Sequence, residues 1–137
     1  MHSILVQDYM DHNPRAIPSG MNVRDAVEAL LSQGIIGAPV VDDNEQVVGF
    51  VSEQDCIKEM LNDAFYCEEP PEVNTVMHTD VALVRPQTSI VEVAQSIQKY
   101  RHKNYPVVEG EKLVGIITRS DILRALMEND EDCYLHH

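Results

Sequence analysis

The chain has 137 residues and a formal net charge of −13, with 23 acidic residues against 10 basic ones. A surface of this sign repels phosphate backbones and anionic lipid, which disfavours binding to nucleic acid and to membrane surfaces. Hydrophobic residues make up 44% of the chain, so it can bury a core and differs from a disordered polyanion. No apolar run approaches the roughly 20 residues that a membrane-spanning helix needs.

The N-terminal sequence lacks the basic start and the apolar stretch of a signal peptide. Cys56, Cys67 and Cys133 are spaced neither as a disulfide framework nor as a CxxC metal clip. Together these features predict a cytoplasmic protein. The histidines show no metal-ligand spacing except for the adjacent His136 and His137, which we interpret as a solvated chain end, so we predict no metal site.

Residues 1–68 predict a first set of elements. Proline disfavours a helix in the residue before it, so the segment that ends at Pro18 is extended. Asn22 is a good N-cap, and apolar residues then recur at helical spacing. The predicted elements are a leader ending at Met10, an extended segment 15–18, a helix from 23, strands 39–41 and 47–52, and a helix 54–65.

Residues 73–129 predict the same elements in the same order. Pro70 and Pro71 lie in the linker between the two sets, where they end any helix. Residues 130–137 are acidic, and we predict a disordered tail there. The predicted elements of this half are a leader ending at Met77, an extended segment 82–86, a helix capped by Ser89, strands 106–108 and 113–118, and a helix 120–127.

The duplication is visible in the residues themselves. Residues 49–55, Gly-Phe-Val-Ser-Glu-Gln-Asp, return 66 residues later as residues 115–121, Gly-Ile-Ile-Thr-Arg-Ser-Asp. Ala-Pro-Val-Val at 38–41 returns as Tyr-Pro-Val-Val at 105–108. One unit with a small sheet buries little on its own. We therefore predict an α/β fold of two pseudo-twofold-related βαββα units, packed sheet to sheet into one compact module.

The repeated Gly-Φ-Φ-Ser/Thr-x-x-Asp motif, where Φ is apolar, has two interpretations. Ser52 and Thr118 can each cap a helix, with Asp55 and Asp121 completing a capping box. Alternatively, the helix N-terminus and the hydroxyl bind a phosphate while the carboxylate accepts the two hydroxyls of a ribose. A single copy favours the cap. Two copies in equivalent places strengthen the case for a binding site.

These two motifs, the two Φ-Pro-Val-Val strands and the leaders that end in methionine resemble a tandem pair of CBS domains, also called a Bateman module. The resemblance covers nearly all of the chain. It implies a regulatory module, often a homodimer, that binds AMP, ADP, ATP or S-adenosylmethionine in clefts between the two units. It implies a conformational or oligomeric response to that ligand, no catalysis, and a separate protein as any regulated partner.

The resemblance also implies two candidate sites. Asp55 would hold the ribose in the first site and Asp121 in the second, while Ser52 and Thr118 would face ribose or phosphate. The wall of the first site would consist of Ile17, Pro18, Gly37, Ala38 and Pro39. The wall of the second would consist of Val84, Arg85, Asn104, Tyr105 and Pro106.

The two copies differ in basic residues, which the family often places near the phosphates. The second copy has Arg119 inside its motif and the run 101–103, Arg-His-Lys, before its proline strand, whereas the first has Glu53 and Gln54. Residues 1–69 hold 13 acidic and 3 basic residues, whereas residues 70–127 hold 6 and 7. An Arg–phosphate contact contributes about 1.5–3 kcal/mol. We therefore predict a nucleotide in the second site and, in the first, either no ligand or a less charged nucleoside.

Two other functions remain open. A ligand-free dimerisation or protein-interaction module would keep the fold and lose the sites. An enzyme would need a nucleophile or an acid–base pair in one cleft, and the repeat accounts for both aspartates without catalysis. Cys56 is interpreted as a small packed residue, because no base stands at a local spacing that would activate it.

Overall fold

A computed structural model describes residues 4–62, 69–100 and 103–135. Three predicted features lie wholly or partly outside this part of the chain. They are the end of the helix 54–65, the first residues of the linker, and the basic residues 101 and 102. The chain forms two compact units. The first, which we call the Asp55 unit, contains 14–81 with 111–113. The second, the Asp121 unit, contains 1–13, 82–110 and 114–137.

The Asp55 unit is built on a three-stranded sheet of order β1-β2-β3. β1 runs parallel to β2, with Ile17 opposite Val40, and β2 runs antiparallel to β3. The elements are β1 (Ile17–Pro18), α1 (Val23–Gln33), β2 (Gly37–Val41), β3 (Val47–Ser52), α2 (Glu53–Met60) and a single 3-10 turn (Val73–Thr75).

Helix α1 begins where the sequence predicts. The Asn22 side chain accepts the Asp25 amide hydrogen at 2.8 Å, and Gly34 ends the helix in the left-handed region with φ 64°, a conformation that glycine adopts at little energetic cost. The apolar face of α1 packs on the sheet. The core of the unit contains Ile17, Val23, Ala26, Leu30, Ala38, Val40, Val51, Cys56 and Val73.

The Asp121 unit repeats this architecture. Val84 pairs with Val107 through a parallel bridge, where the other unit has β1. Its elements are a 3-10 turn (Val6–Asp8), α3 (Ile90–Tyr100), β4 (Asn104–Glu109), β5 (Lys112–Thr118) and α4 (Arg119–Leu135), with β4 paired to β5. Its core contains Val6, Ile90, Val93, Tyr105, Val107, Ile117, Ile122 and Ala125. The predicted α/β class is confirmed.

Helix α4 is longer than the sequence predicted. It continues from Arg119 to Leu135, so the segment expected to be a disordered tail is helical up to that residue. No glycine or proline interrupts residues 119–135, and glutamate and leucine are good helix formers. Acidic composition alone was a poor guide to where the helix ends.

The two leaders are exchanged between the repeats. The Val6 amide donates to the Thr88 carbonyl at 2.9 Å, in the Asp121 unit, and the Val73 amide donates to the Met21 carbonyl at 2.8 Å, in the Asp55 unit. Both valines are fully buried. The compact units therefore differ from the sequence repeats 1–68 and 73–129. Sequence periodicity shows that a leader exists, but it does not show which core the leader completes.

Candidate functional site

In the Asp55 unit, the motif glycine is the point where the leader lies against β3. Phe50 and His78 exchange backbone hydrogen bonds of 2.9 and 3.0 Å. A β-carbon on Gly49 would stand 2.5 Å from the Met77 sulfur and 2.8 Å from the His78 carbonyl oxygen. Only glycine allows this approach. The motif glycine and the leader methionine therefore pack directly against each other.

The Asp121 unit has the same contact. Asp11 exchanges backbone hydrogen bonds of 2.8 and 3.0 Å with Ile116. A β-carbon on Gly115 would lie 2.7 Å from the Asp11 carbonyl oxygen and 3.0 Å from the Met10 sulfur. His78 and Asp11 therefore occupy equivalent positions, directly after the leader methionine and beside the motif strand.

Each motif forms a reciprocal capping box, as the sequence predicts. The Ser52 hydroxyl accepts the Asp55 amide hydrogen at 3.2 Å. Asp55 Oδ2 in turn accepts the Ser52 amide and hydroxyl hydrogens, both at 2.9 Å. Thr118 and Asp121 repeat these contacts at 3.3, 2.9 and 3.1 Å. The caps hold both carboxylates in place and leave the side chains 24% and 18% exposed.

The first amide of each motif helix is already bonded. The Glu53 amide donates to the Ile36 carbonyl at 2.8 Å, and the Arg119 amide donates to the Lys103 carbonyl at 3.1 Å. An anion at either helix start would therefore meet side chains before it met these amides. Lys103 and Arg119 also come together through this contact, and both residues are exposed.

Half of the ten predicted wall residues belong to the core. Their side chains are buried, so a ligand could reach only main-chain atoms at these positions: Ile17, Ala38, Pro39, Tyr105 and Pro106. Gly37 lies opposite Ser52 across β2 and β3, and a β-carbon there would be 2.6 Å from the Phe50 ring. Pro18 pairs with Val41, at the other end of β2. The structure thus brings Gly37 beside the cap, but not Ile17 and Pro18.

In the Asp121 unit the wall is more open. Val84 and Asn104 are half-buried, and Arg85 is exposed. Asn104 begins β4 directly after Lys103, whose carbonyl bonds the Arg119 amide. This places Asn104 beside the motif, whereas Val84 pairs with Val107, further along β4.

Each aspartate has a basic partner that the sequence prediction missed. Arg124 Nη2 contacts Asp121 Oδ1 at 2.8 Å, and the arginine side chain is 55% exposed. The i,i+3 spacing on α4 could have indicated this pair. His78 Nδ1 contacts Asp55 Oδ2 at 3.0 Å. These two residues are 23 positions apart, so no local pattern reveals the second pair.

Cys56 behaves as a packed residue. It is 3% exposed in the core of the Asp55 unit. Burial, and then the charge of Asp55, raise the pKa of its thiol above the usual 9.0. Because the thiolate is the nucleophilic form, a raised pKa makes the thiol less reactive.

No cluster of three or more His, Cys, Asp or Glu side chains in the part of the chain that the structure describes could hold a metal ion. No helix there is long and apolar enough to cross a membrane. A shallow depression on α1 contains none of the predicted site residues; it is lined by Asp25, Glu28, Ala29, Leu31 and Ser32.

Comparison with known proteins identifies the class. The CBS domain family matches residues 6–62 and 73–128, so the chain belongs to the CBS domain family. Proteins with paired CBS domains are regulatory modules. The chain spans 42%, 15% and 40% of the length of three curated relatives that it matches.

Solved structures share the fold over nearly the whole chain. AcuB from Vibrio cholerae is 33% identical with a TM-score of 0.81, and the match covers 95% of each chain. CBSX2 from Arabidopsis thaliana, in complex with AMP, is 28% identical with a TM-score of 0.80, covering 93% of this chain and 98% of that one. The CBS domain pair of protein MJ0100, in complex with 5'-methylthioadenosine and S-adenosyl-L-methionine, is 25% identical with a TM-score of 0.78, covering 93% and 99%.

Proposed function

We propose that the chain is a regulatory module that binds an adenosine-containing ligand, with Asp55 and Asp121 as the ribose-binding carboxylates. The observation that carries this proposal is the duplicated cap, which fixes a partly exposed carboxylate at the start of α2 and of α4. A fixed carboxylate accepts two hydrogen bonds from a ribose diol without losing side-chain entropy on binding. The AMP bound to CBSX2 and the S-adenosyl-L-methionine bound to MJ0100 support the same ligand class.

The Asp121 site is the better candidate for a nucleotide with phosphates. Lys103, Arg119 and Arg85 are exposed, and the first two are joined through a backbone hydrogen bond. Hydrogen bonds from such cations to a phosphate are about twice as strong as neutral ones. In the Asp55 unit, the residue equivalent to Arg119 is Glu53, which repels a phosphate.

Ligand entry at Asp121 requires one exchange of partners. Thr118 occupies Oδ2, while Arg124 occupies Oδ1. An exposed ion pair of this kind contributes about 0–1 kcal/mol, so a ribose hydroxyl can displace the arginine at small cost. Arg124 then remains beside the site as a further cation for an anionic ligand. The capping contacts with Thr118 are kept throughout.

A ligand panel tests this proposal. Because a ligand that binds only the folded state raises the melting temperature with dose, we expect a dose-dependent rise with at least one of AMP, ADP, ATP or S-adenosylmethionine. GMP serves as the matched nucleotide control and should raise it less. No rise with any adenosine compound at millimolar concentration contradicts the proposal and favours the ligand-free interaction module.

A second candidate function, homodimerisation, rests on exposed apolar pairs. Ile57 on α2, Leu61 directly after α2, and Leu123 and Met127 on α4 are each more than half exposed. The two pairs have i,i+4 spacing, which places each on one helix face, and they stand at equivalent repeat positions. We propose that these faces bind a second copy of the chain, because each copy presents the same duplicated surface.

Light scattering after size exclusion tests this pairing. The unmodified chain should elute with a dimer mass, and the double variant Leu61→Glu, Met127→Glu with a monomer mass. Leu83→Glu, at an exposed leucine outside the helices, is the control and should leave the mass unchanged. A monomer mass for the unmodified chain contradicts the proposal.

A further inference from the structure

The residue that follows the leader methionine differs between the Asp55 unit and the Asp121 unit. In the Asp55 unit the residue after the leader methionine is His78, which contacts Asp55 Oδ2 at 3.0 Å. In the Asp121 unit the equivalent residue is Asp11, whose carboxylate accepts the Asn13 amide hydrogen at 2.9 Å. A carboxylate at this position has no hydrogen to donate to a second carboxylate. The exchanged leaders therefore make the two sites chemically different.

The imidazole is placed to act on a bound ligand as well as on Asp55. Asp55 Oδ2 already accepts two hydrogens from Ser52, so Oδ1 is the oxygen left for a ribose hydroxyl among the described contacts. His78 is 46% exposed. Its ring centroid lies 5.7 Å from that of the Phe50 ring, with the two rings tilted by 41°. The other nitrogen, Nε2, has no hydrogen bond to the described residues and can meet a ligand.

We propose that His78 is a specificity-determining residue of the Asp55 site. It orients Asp55 through Nδ1 and, when protonated, supplies through Nε2 the positive charge that the motif itself lacks. The Asp55 site then takes a nucleoside monophosphate at mildly acidic pH and discriminates little between nucleotide and nucleoside at alkaline pH. This inference rests on the proposed function, because it needs a ligand whose ribose binds Asp55.

The charged surroundings of His78 are simple. β3 carries no titratable side chain from Val47 to Ser52. α2 provides Asp55, the charged group in contact with the ring; its other charged residues are Glu53, Lys58 and Glu59. On the leader segment itself the nearest titratable group is the exposed Asp80. Histidine is the side chain that ordinarily changes charge between about pH 5 and pH 8.

Calorimetry with AMP and adenosine tests the inference. The Asp121→Ala chain is used so that binding reports the Asp55 site. We expect AMP affinity to rise about fivefold between about pH 8 and about pH 6, with adenosine affinity changing less than about twofold. His78→Asn should abolish the difference, because the asparagine amide can still bond Asp55 but does not titrate. The phosphate of AMP itself titrates at about pH 6. Because this affects every variant equally, it cancels when variants are compared at the same pH.

His12→Asn is the matched control. It removes an exposed imidazole that bonds the Gln7 carbonyl, and it should leave the pH dependence of AMP binding unchanged. An equal pH dependence with and without His78 overturns the inference. Binding to the unmodified chain but not to the Asp121→Ala chain also overturns it and leaves the proposed function standing. Absence of binding to the unmodified chain overturns both.

A second readout does not depend on the Asp121→Ala chain being folded. In the unmodified chain labelled at its histidine rings, the NMR signals of His78 are assigned by their loss in His78→Asn. We expect AMP to shift these signals and to raise the pH at which they titrate, since phosphate stabilises the protonated ring. An unchanged His78 titration at saturating AMP overturns the inference.

Discussion

The Tyr9 hydroxyl donates a 2.6 Å hydrogen bond to the Glu128 carboxylate. This contact ties the leader of the first repeat to the last helix of the second repeat. Tyr9→Phe removes the donor and keeps the ring, so we expect the free energy of unfolding to fall by about 1 kcal/mol, since the pair is partly exposed to solvent. Urea unfolding measures this change. Glu128→Gln retains an acceptor and should lose less; an equal loss would show that the hydrogen bond is not the cause.

Stability should also fall at alkaline pH. The hydrogen bond to Glu128, and then burial, raise the pKa of Tyr9 above 10.0, while burial and the Asp55 charge raise the pKa of Cys56 above 9.0. The folded chain therefore holds these two protons more tightly than the unfolded chain. Their contribution is complete below pH 9 and is lost as the pH rises through the two folded-state values.

Unfolding free energies measured between about pH 8 and pH 11 check this sign. Tyr9→Phe should make the decline above pH 10 shallower, because one of the two groups is removed. A stability that rises over this interval, or a Tyr9→Phe curve parallel to that of the unmodified chain, would show that these groups are not responsible.

The motif glycines should be intolerant of even one methyl group. Gly49→Ala places a β-carbon 2.8 Å from the His78 carbonyl oxygen, and Gly115→Ala places one 2.7 Å from the Asp11 carbonyl oxygen. Backbone must shift to relieve such contacts, so each substitution should lower the melting temperature and destabilise the fold by about 1–3 kcal/mol. Gly20→Ala is the matched control, since nothing lies within 4 Å of its added carbon. Equal effects at all three positions would contradict this account of the leaders.

The caps should contribute to stability independently of any ligand. Ser52→Ala and Thr118→Ala each remove a hydroxyl that accepts the amide of the helix's own aspartate. We expect a loss of about 0.5–2 kcal/mol for each. Thr118→Ser keeps the hydroxyl and should lose little. Circular dichroism during thermal unfolding measures all three, and a neutral Thr118→Ala would mean that the capping box does not stabilise α4.

Much of the fold could be predicted because its determinants are local. Asn22, Ser52 and Thr118 cap helices through residues three positions later, and the spacing alone shows this. The repeat strengthens these assignments, because each copy of the strand–helix motif supports the assignment of the other.

The parts that sequence reasoning missed are long-range. The contact of His78 with Asp55 depends on the leader of one repeat joining the other repeat's strand, and identical leaders would give the same periodicity if each folded onto its own repeat. Burial of Tyr105 and Pro106 was also missed, because the resemblance marks these positions as site residues without showing where their side chains point.

We propose above all that Asp121 holds the ribose of an adenine nucleotide. Calorimetric titration of AMP into the unmodified chain, Asp121→Ala and Asp55→Ala tests it most directly. The two substitutions remove the same capping carboxylate from equivalent helices, so a difference between them reports on the ligand. We expect Asp121→Ala to weaken AMP binding at least about tenfold and Asp55→Ala to weaken it less. Unchanged AMP affinity in a folded Asp121→Ala chain would contradict the claim.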